Sequence, residues 1–335
     1  GKQWKQAASY ARRRPCALLL FLAAGLLPPP PASSQYCPAG YGTFYAVAPS
    51  VLLVHGEASN SEKAALAQVT QSRLNATGAF SSVDLFDATA STPSLTLLQQ
   101  YQAALVWSDF SFKSPSGLGD VLADYWDAGG GVVVAPFANS LWTFTTELQG
   151  RFGNGGNGYI LINSTAAFTS PSSSLGNISE PQSQLLRGVS SLSARSAYGS
   201  TGAVINSGVV VASWSDGRPL IVRRERGCRT MVEINLYPLM SGGSYTIFWT
   251  GDGAALMRNA LIYSTCSCCR AGTFAVAGST TCSSCLAGMY GNGSGATTCS
   301  PCMAGTYGTG SGGVSSGVCS LCSAGTFGTG SGLSA

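Results

Sequence analysis

From Val51 to about Thr265 the chain alternates apolar runs of strand length with amphipathic runs of helix length. Val51-Leu-Leu-Val-His55, Ala103-Ala-Leu-Val-Trp107 and Gly131-Val-Val-Val-Ala135 are nearly continuous in apolar residues, the pattern of strands buried on both faces. Ser82-Val-Asp-Leu-Phe86 is a further strand. Between them, Ala64, Ala65, Leu66, Val69 and Leu74 mark a helix that Asn60 or Ser61 can cap, and a short helical piece falls at Leu95 to Tyr101. The clearest helix carries Leu118, Val121, Leu122, Tyr125 and Trp126 at i, i+3, i+4, i+7 and i+8, and Gly129-Gly-Gly131 ends it. Strand and helix alternating at this spacing predict βαβ crossovers and a parallel sheet. The second half is richer in strands: Tyr159 to Ile162, Val209 to Trp214, Pro219 to Arg224 and Thr230 to Leu236, with Asp216-Gly217 as a hairpin turn. Asp252 caps a last helix through Leu256, Met257, Ala260 and Leu261. The Asn- and Gly-rich loop Gly153 to Gly158 precedes a strand rather than linking strand to helix, which excludes a phosphate cradle.

After Cys266 the pattern changes to small, polar, cysteine-dense sequence. Cys269-Arg-Ala-Gly-Thr-Phe274, Cys285-Leu-Ala-Gly-Met-Tyr290, Cys302-Met-Ala-Gly-Thr-Tyr307 and Cys322-Ser-Ala-Gly-Thr-Phe327 align on Cys-x-Ala-Gly, with an aromatic five residues after the cysteine. Each opening cysteine closes a C-x-x-C: Cys266/Cys269, Cys282/Cys285, Cys299/Cys302 and Cys319/Cys322. A shorter echo, Cys37-Pro-Ala-Gly-Tyr41, stands far upstream. Units this small cannot bury a core, so covalent staples must replace it. The repeat suggests loops from each Cys-x-Ala-Gly cysteine to the next C-x-x-C: Cys269–Cys282, Cys285–Cys299 and Cys302–Cys319. Cys37 and Cys228 are then expected to pair with Cys266 and Cys268, in an order the sequence leaves open, and Cys322 is left over. Paired C-x-x-C is also zinc-ligand spacing, a reading that an oxidising compartment disfavours.

Charge changes the picture at the N-terminus. The 335 residues carry 18 basic and 14 acidic side chains, and five of the basic ones, Lys2, Lys5, Arg12, Arg13 and Arg14, precede the apolar run Cys16 to Leu27. Prolines 28 to 31 and the small residues Ala32 to Ser34 follow, the layout of a secretory signal peptide over residues 1–34 cut before Gln35. Without it the chain holds 13 basic and 14 acidic residues, so the net charge of +4 says nothing about nucleic acid. Sequons at Asn75, Asn163, Asn177 and Asn292 agree with secretion. The organisation expected is a signal peptide at 1–34, a Cys-containing lead segment at 35–50, an α/β domain at 51–265 and cysteine-rich repeats at 266–335. Gly1 and the stop at Ala335 inside a repeat read as fragment ends, so membrane attachment through later sequence stays open.

Two resemblances follow from these motifs. Trp126-Asp-Ala-Gly-Gly-Gly-Val-Val-Val134 resembles the helix, triple-glycine and buried-strand segment of class I glutamine-amidotransferase-like domains, including the trehalose-utilisation type. Pro219 to Pro238, with Arg226-Gly-Cys-Arg229 at its turn, and Gly251 to Leu261 resemble that family's late hairpin and closing helix. The resemblance implies a flavodoxin-like parallel-sheet fold, but not the family's reaction. Its enzymes carry a cysteine nucleophile on a strand-to-helix elbow and a His–Glu pair, whereas Ala135, Pro136, Phe137 and Ala138 follow this strand and Cys228 is the domain's one cysteine. The periodic C-x-x-C with glycine and aromatic resembles ephrin-receptor-like and tumour-necrosis-factor-receptor-like cysteine-rich repeats. That likeness implies an extracellular stalk or interaction array, and related repeats supply an interleaved rival pairing such as Cys282–Cys302.

Inventory limits enzyme readings. His55 is the only histidine, and no Gly-x-Ser-x-Gly occurs. His55 and Asp109, at the ends of the first and third buried strands, are the weak candidates for a hydrolase that uses carboxylates at the sheet's C-terminal edge. Arg218, Arg223, Arg224, Arg226 and Arg229 form a basic ribbon over one hairpin, either a solvated strand face or a surface for sulfated glycans or acidic partners. The reading expected is a non-catalytic α/β domain on a disulfide-rich stalk, with no cofactor and no metal, and with an extracellular protein or glycan as partner.

Overall fold

A computed structural model of the chain describes residues 37, 41–42, 48–57, 62–140, 146–153, 157–163, 168–239, 249–276, 282–323 and 330–334. The signal-peptide segment, the proposed caps Asn60 and Ser61, and most of the last repeat motif, from Ala324 on, lie outside these residues.

In chain order the α/β part holds β1 (Tyr41–Gly42), β2 (Ser50–Gly56), α1 (Glu62–Ala76), β3 (Ser82–Asp87), α2 (Leu95–Leu98), β4 (Ala103–Ser108), α3 (Pro115–Ala128), β5 (Gly131–Val134) and the one-turn α4 (Gly150–Gly153). There follow β6 (Phe168–Thr169), β7 (Ser173–Ile178), β8 (Leu192–Ala194), β9 (Gly199–Ser200), β10 (Val209–Trp214), β11 (Pro219–Arg226), β12 (Arg229–Ile234), β13 (Thr250–Gly251) and α5 (Gly253–Ser264). Among the described residues the main sheet runs β13-β8-β7-β10-β11-β12-β5-β4-β2-β3, with β14 (Ser267–Cys268) beside β12 and β1 beside β14. The expected parallel sheet forms one half of a mixed sheet, and the expected hairpin lies in the other half. Only β3, β2, β4, β5 and β12 are parallel. The β10–β11–β12 meander and the strands beyond it are antiparallel, because two-residue turns such as Asp216-Gly217 leave no room for a crossover.

The parallel strands read as continuous apolar runs because both faces are covered. Val51, Leu53, Leu105, Trp107 and Val133 face the layer of α1 and α5, while Leu52, Val54, Ala104, Val106, Val132 and Val134 face α3. Ser114 caps α3 through Gly117 N at 3.2 Å, and Gly129 ends it at φ 119°. The helix N-terminus at Asp252 departs from expectation. Its carboxylate makes no cap bond. It instead accepts from the backbone N–H groups of Ser190 and Ser191 at 2.9 and 2.8 Å, tying α5 to the segment before β8. Tyr159 to Ile162 is likewise not a strand, since a single bridge, Ile162 to Val204, is its only ladder contact among the described residues.

Beyond α5 lie β14 and three small units: β15 (Thr273–Phe274) with β16 (Ser283–Ser284), β17 (Met289–Tyr290) with β18 (Ser300–Pro301), and β19 (Thr306–Gly308) with β20 (Ser320–Leu321), with β21 (Leu333–Ser334) alongside β19. In each unit the residue after the Cys-x-Ala-Gly glycine pairs with the second residue inside the next C-x-x-C: Thr273 with Ser284, Met289 with Pro301, Thr306 with Leu321. Tyr41 pairs with Cys268 and Gly42 with Ser267 in that same register. The Cys37–Cys266 bridge has the matching connectivity, across a sequence separation of 229. The α/β domain thus occupies the loop of a first repeat unit whose two halves lie on either side of it in the sequence.

Candidate functional site

The C-terminal edge of the parallel strands gathers several of the α/β domain's buried polar groups, among them His55, Glu57, Ser108 and Glu233. β2 and β4 pair so that His55 lies opposite Trp107 and Gly56 opposite Ser108. A Cβ on Gly56 would stand 2.7 Å from Ser108 Cβ and 2.9 Å from the Phe110 carbonyl, so only glycine lets the loop after β4 close over β2. There the Asp109 and Phe110 N–H groups donate to the Gly56 carbonyl at 3.0 and 2.8 Å. Asp109 and His55 therefore come to neighbouring strand ends, as the sequence placed them. His55 is 6% exposed, and its Nδ1 accepts from Glu57 N at 3.4 Å. Burial lowers its pKa, partly offset by Asp87, so the ring is held neutral.

The dominant group there is one the sequence reading missed. Glu57 is fully buried, and its Oε1 accepts from Trp107 Nε1 at 2.8 Å and from the Tyr237 hydroxyl at 2.7 Å. Burial, followed by the charges of Glu57 and Asp109, pushes the Tyr237 hydroxyl well up, so it remains a donor. The residues involved lie 50 and 180 positions apart in sequence, which no local pattern reveals. Beside them the turn after β5 places Phe137 at φ 35°, a backbone conformation uncommon for a non-glycine residue. Strand-to-helix elbows use a comparable strained bend to expose a nucleophile. Here the side chain is a ring packed edge-on against Phe168, Tyr198 and Tyr237 at 5.2 to 5.7 Å.

A second buried carboxylate stands on β12, the strand beside β5. Glu233 is 1% exposed, and its two oxygens accept from Leu161 N at 2.8 Å and Ile162 N at 3.0 Å, with Asn139 Nδ2 at 3.5 Å. These bonds explain why Tyr159–Ile162 is extended without being a strand: its donors go to a side chain rather than to a ladder. Burial pushes the carboxyl up to about 7 against the lowering effect of those donors.

The basic ribbon is internally committed. Arg218 pairs with Asp216 at 2.7 Å and donates to the Ala197 carbonyl at 3.0 Å. Arg223 holds Glu180 at 2.7 Å and Glu225 at 2.6 Å. Arg224 donates to the Asn206 and Gly158 carbonyls, Arg226 to Asn157 O at 3.0 Å, and Arg229 to Asp127 O at 3.1 Å from above the Trp126 ring. Through these bonds the ribbon fastens loops to the hairpin.

In the repeats the bridges are Cys269–Cys282, Cys285–Cys299 and Cys302–Cys319, and the pairings left open by the sequence are Cys37–Cys266 and Cys228–Cys268. Cys322 carries no bridge. Backbone bonds link one unit to the next in a fixed rhythm. The Cys-x-Ala-Gly glycine carbonyl accepts from the next unit's cysteine N–H: Gly272 from Cys285 at 2.9 Å, Gly288 from Cys302 at 2.8 Å, Gly305 from Cys322 at 3.0 Å. Those three glycines sit at φ 81–83°, which glycine adopts without a Cβ penalty. Among the sequons, Asn75, Asn177 and Asn292 are exposed and Asn163 is half-buried.

Residues 272–319 match the tyrosine-protein kinase ephrin type A/B receptor-like family. Among solved structures, a ThuA-like protein from Parabacteroides merdae is similar over 76% of this chain and 97% of its own, with 14% identity and a TM-score of 0.46. A ThuA-like protein from Bacteroides uniformis is similar over 66% of this chain and 91% of its own, with 15% identity and a TM-score of 0.39. No curated protein matches the chain. The chain thus joins an α/β domain to a disulfide-rich region, of which residues 272–319 are ephrin-receptor-like. Among the described residues no helix is long and apolar enough to cross a membrane.

Proposed function

We propose that the protein is a secreted or cell-surface glycoprotein whose α/β domain is non-catalytic and is displayed by an ephrin-receptor-like array for adhesion, recognition or matrix assembly. The observation that carries this reading is the bridge pattern. Stacked small units held by serial disulfides are stable only where thiols stay oxidised, which is outside the cytosol. Cys37–Cys266 places the α/β domain inside that same array, so both parts share one compartment. The non-catalytic reading is supported by Phe137 at the strained turn and by the buried, neutral His55. Expression in a eukaryotic secretory host tests the compartment. The expected product starts at Gln35 and loses mass on glycosidase treatment, and an intact, unmodified N-terminus contradicts it.

A second reading, an extracellular hydrolase, draws on the convergence of His55 and Asp109 at adjacent strand ends. Ester, amide and glycoside panels on the secreted protein separate the two. Turnover abolished by His55→Ala or Asp109→Ala would establish the hydrolase, and no turnover is the result expected.

A further inference from the structure

A cavity of about 470 Å³ lies where the α/β domain meets the repeats, at the sheet edge opposite the Glu57 cluster. That size is within the range of small-molecule sites, roughly 300–1,000 Å³. Its walls come from both parts: Gln99, Tyr101, Arg229 and Thr265 from the domain, Arg270 and Ser294 from the repeats, with the Cys228–Cys268 bridge between them. The lining contains two arginines and no carboxylate. Against those cations stand the C-terminal ends of α3 and α5, at Gly129 and Thr265, whose carbonyls carry partial negative charge. Arg229 already offsets one of them through the Asp127 carbonyl at 3.1 Å. The walls mix hydroxyl, amide and guanidinium groups with tyrosine, all able to hydrogen-bond to hydroxyl and amide groups. Such walls suit a polyhydroxylated ligand.

One source of such a ligand is attached beside the cavity. Ser294, on its wall, is the third residue of the sequon Asn292-Gly-Ser, and Asn292 is exposed. Gly293 and Gly295 turn this segment at φ 79° and 78°. The Ser294 hydroxyl lies 3.5 Å from Cys228 Sγ, and a Cβ on Gly295 would stand 3.7 Å from Cys268 Cβ. We infer that the innermost sugars of a glycan on Asn292 occupy this cavity and wedge the joint between domain and repeats. The inference rests on the reading of the protein as a secreted glycoprotein.

The test is native endoglycosidase digestion of the full chain from a secretory host, followed by site-resolved mass spectrometry, with exposed Asn75 at the end of α1 as internal reference. Release at Asn292 is expected to be at least tenfold slower than at Asn75, and the difference should vanish after denaturation. Gln99→Trp, an exposed position at the cavity, should bring the two rates together, and Arg270→Ala should do so in part. Equal rates in the native wild-type protein, or an unmodified Asn292 beside a modified Asn75, overturn the inference and leave secretion standing. Absence of glycan at every sequon overturns the underlying reading as well.

Discussion

In the α/β domain the large apolar side chains are inside: Trp107, Leu105, Trp214 and Leu261 are at most 1% exposed. In the repeats, Leu286, Met303 and Leu321 are 70, 75 and 80% exposed, and what is buried there is cysteine: Cys269, Cys285 and Cys302, all at 0%. One region is held by apolar surface removed from water, the other by bridges and glycine turns repeated in register. The difference teaches where each region is vulnerable. A core fails through lost volume, whereas an array fails through lost bonds or a blocked turn.

The bridge that joins the two kinds of cohesion should give the largest effect. Closing a loop of this length restricts the unfolded chain by about 5 kcal/mol in the chain-entropy view. Cys37→Ser with Cys266→Ser should therefore lower the denaturant midpoint of the α/β domain, followed by tryptophan fluorescence. Cys302→Ser with Cys319→Ser, at a separation of 17, should leave that midpoint unchanged. Next in size is Leu105→Ala, which empties a site at 0% exposure and should cost the domain about 2–5 kcal/mol with all bridges in the repeats still formed by peptide mapping.

Acid response should separate the regions again. Burial holds the Glu233 carboxyl at about 7, above its ordinary 4.5, so between those values the native state keeps a proton that the unfolded chain releases. Stability from this group thus rises as pH falls through that window, by up to roughly 3 kcal/mol. His55 acts in the opposite sense, because its lowered pKa costs native stability as pH drops below 6.5. Midpoints measured against pH for wild type and Glu233→Gln isolate the carboxyl. A difference that stays flat from pH 4.5 to 7 contradicts the assignment. The smallest effects are local to the repeats. At Gly305, φ 83° with nothing within 4 Å of a new Cβ, Gly305→Ala should cost only about 1–2 kcal/mol for the left-handed backbone. At Gly288 the same change drives a Cβ to 2.5 Å from the Gly332 and Leu333 carbonyls, so Gly288→Ala should cost more, read as faster proteolysis of the repeats.

The parallel strands were legible because burial on both faces removes polar residues from β2, β4 and β5. The serine-rich β7 and β8 were not, since Ser173-Ser-Leu-Gly-Asn-Ile178 shows no alternation to read. Tyr159–Ile162 carried a strand's composition, yet its partner is the Glu233 side chain, a contact fixed only by the tertiary fold. At the sheet edge His55 and Asp109 could be placed from strand ends alone. Glu57 could not, because the Trp107 and Tyr237 donors that define it come from distant segments. The Cys37 motif was visible as an echo of the repeats, but its role as the first half of a split unit depends on the register of Tyr41 with Cys268.

Non-reducing peptide mapping of the secreted chain bears most directly on a domain carried within the first repeat. A peptide joining Cys37 to Cys266, beside Cys228–Cys268 and the three serial bridges of the later units, is the expected result. Cys37 linked to any other cysteine, a Cys282–Cys302 peptide, or free thiols with bound zinc would contradict it.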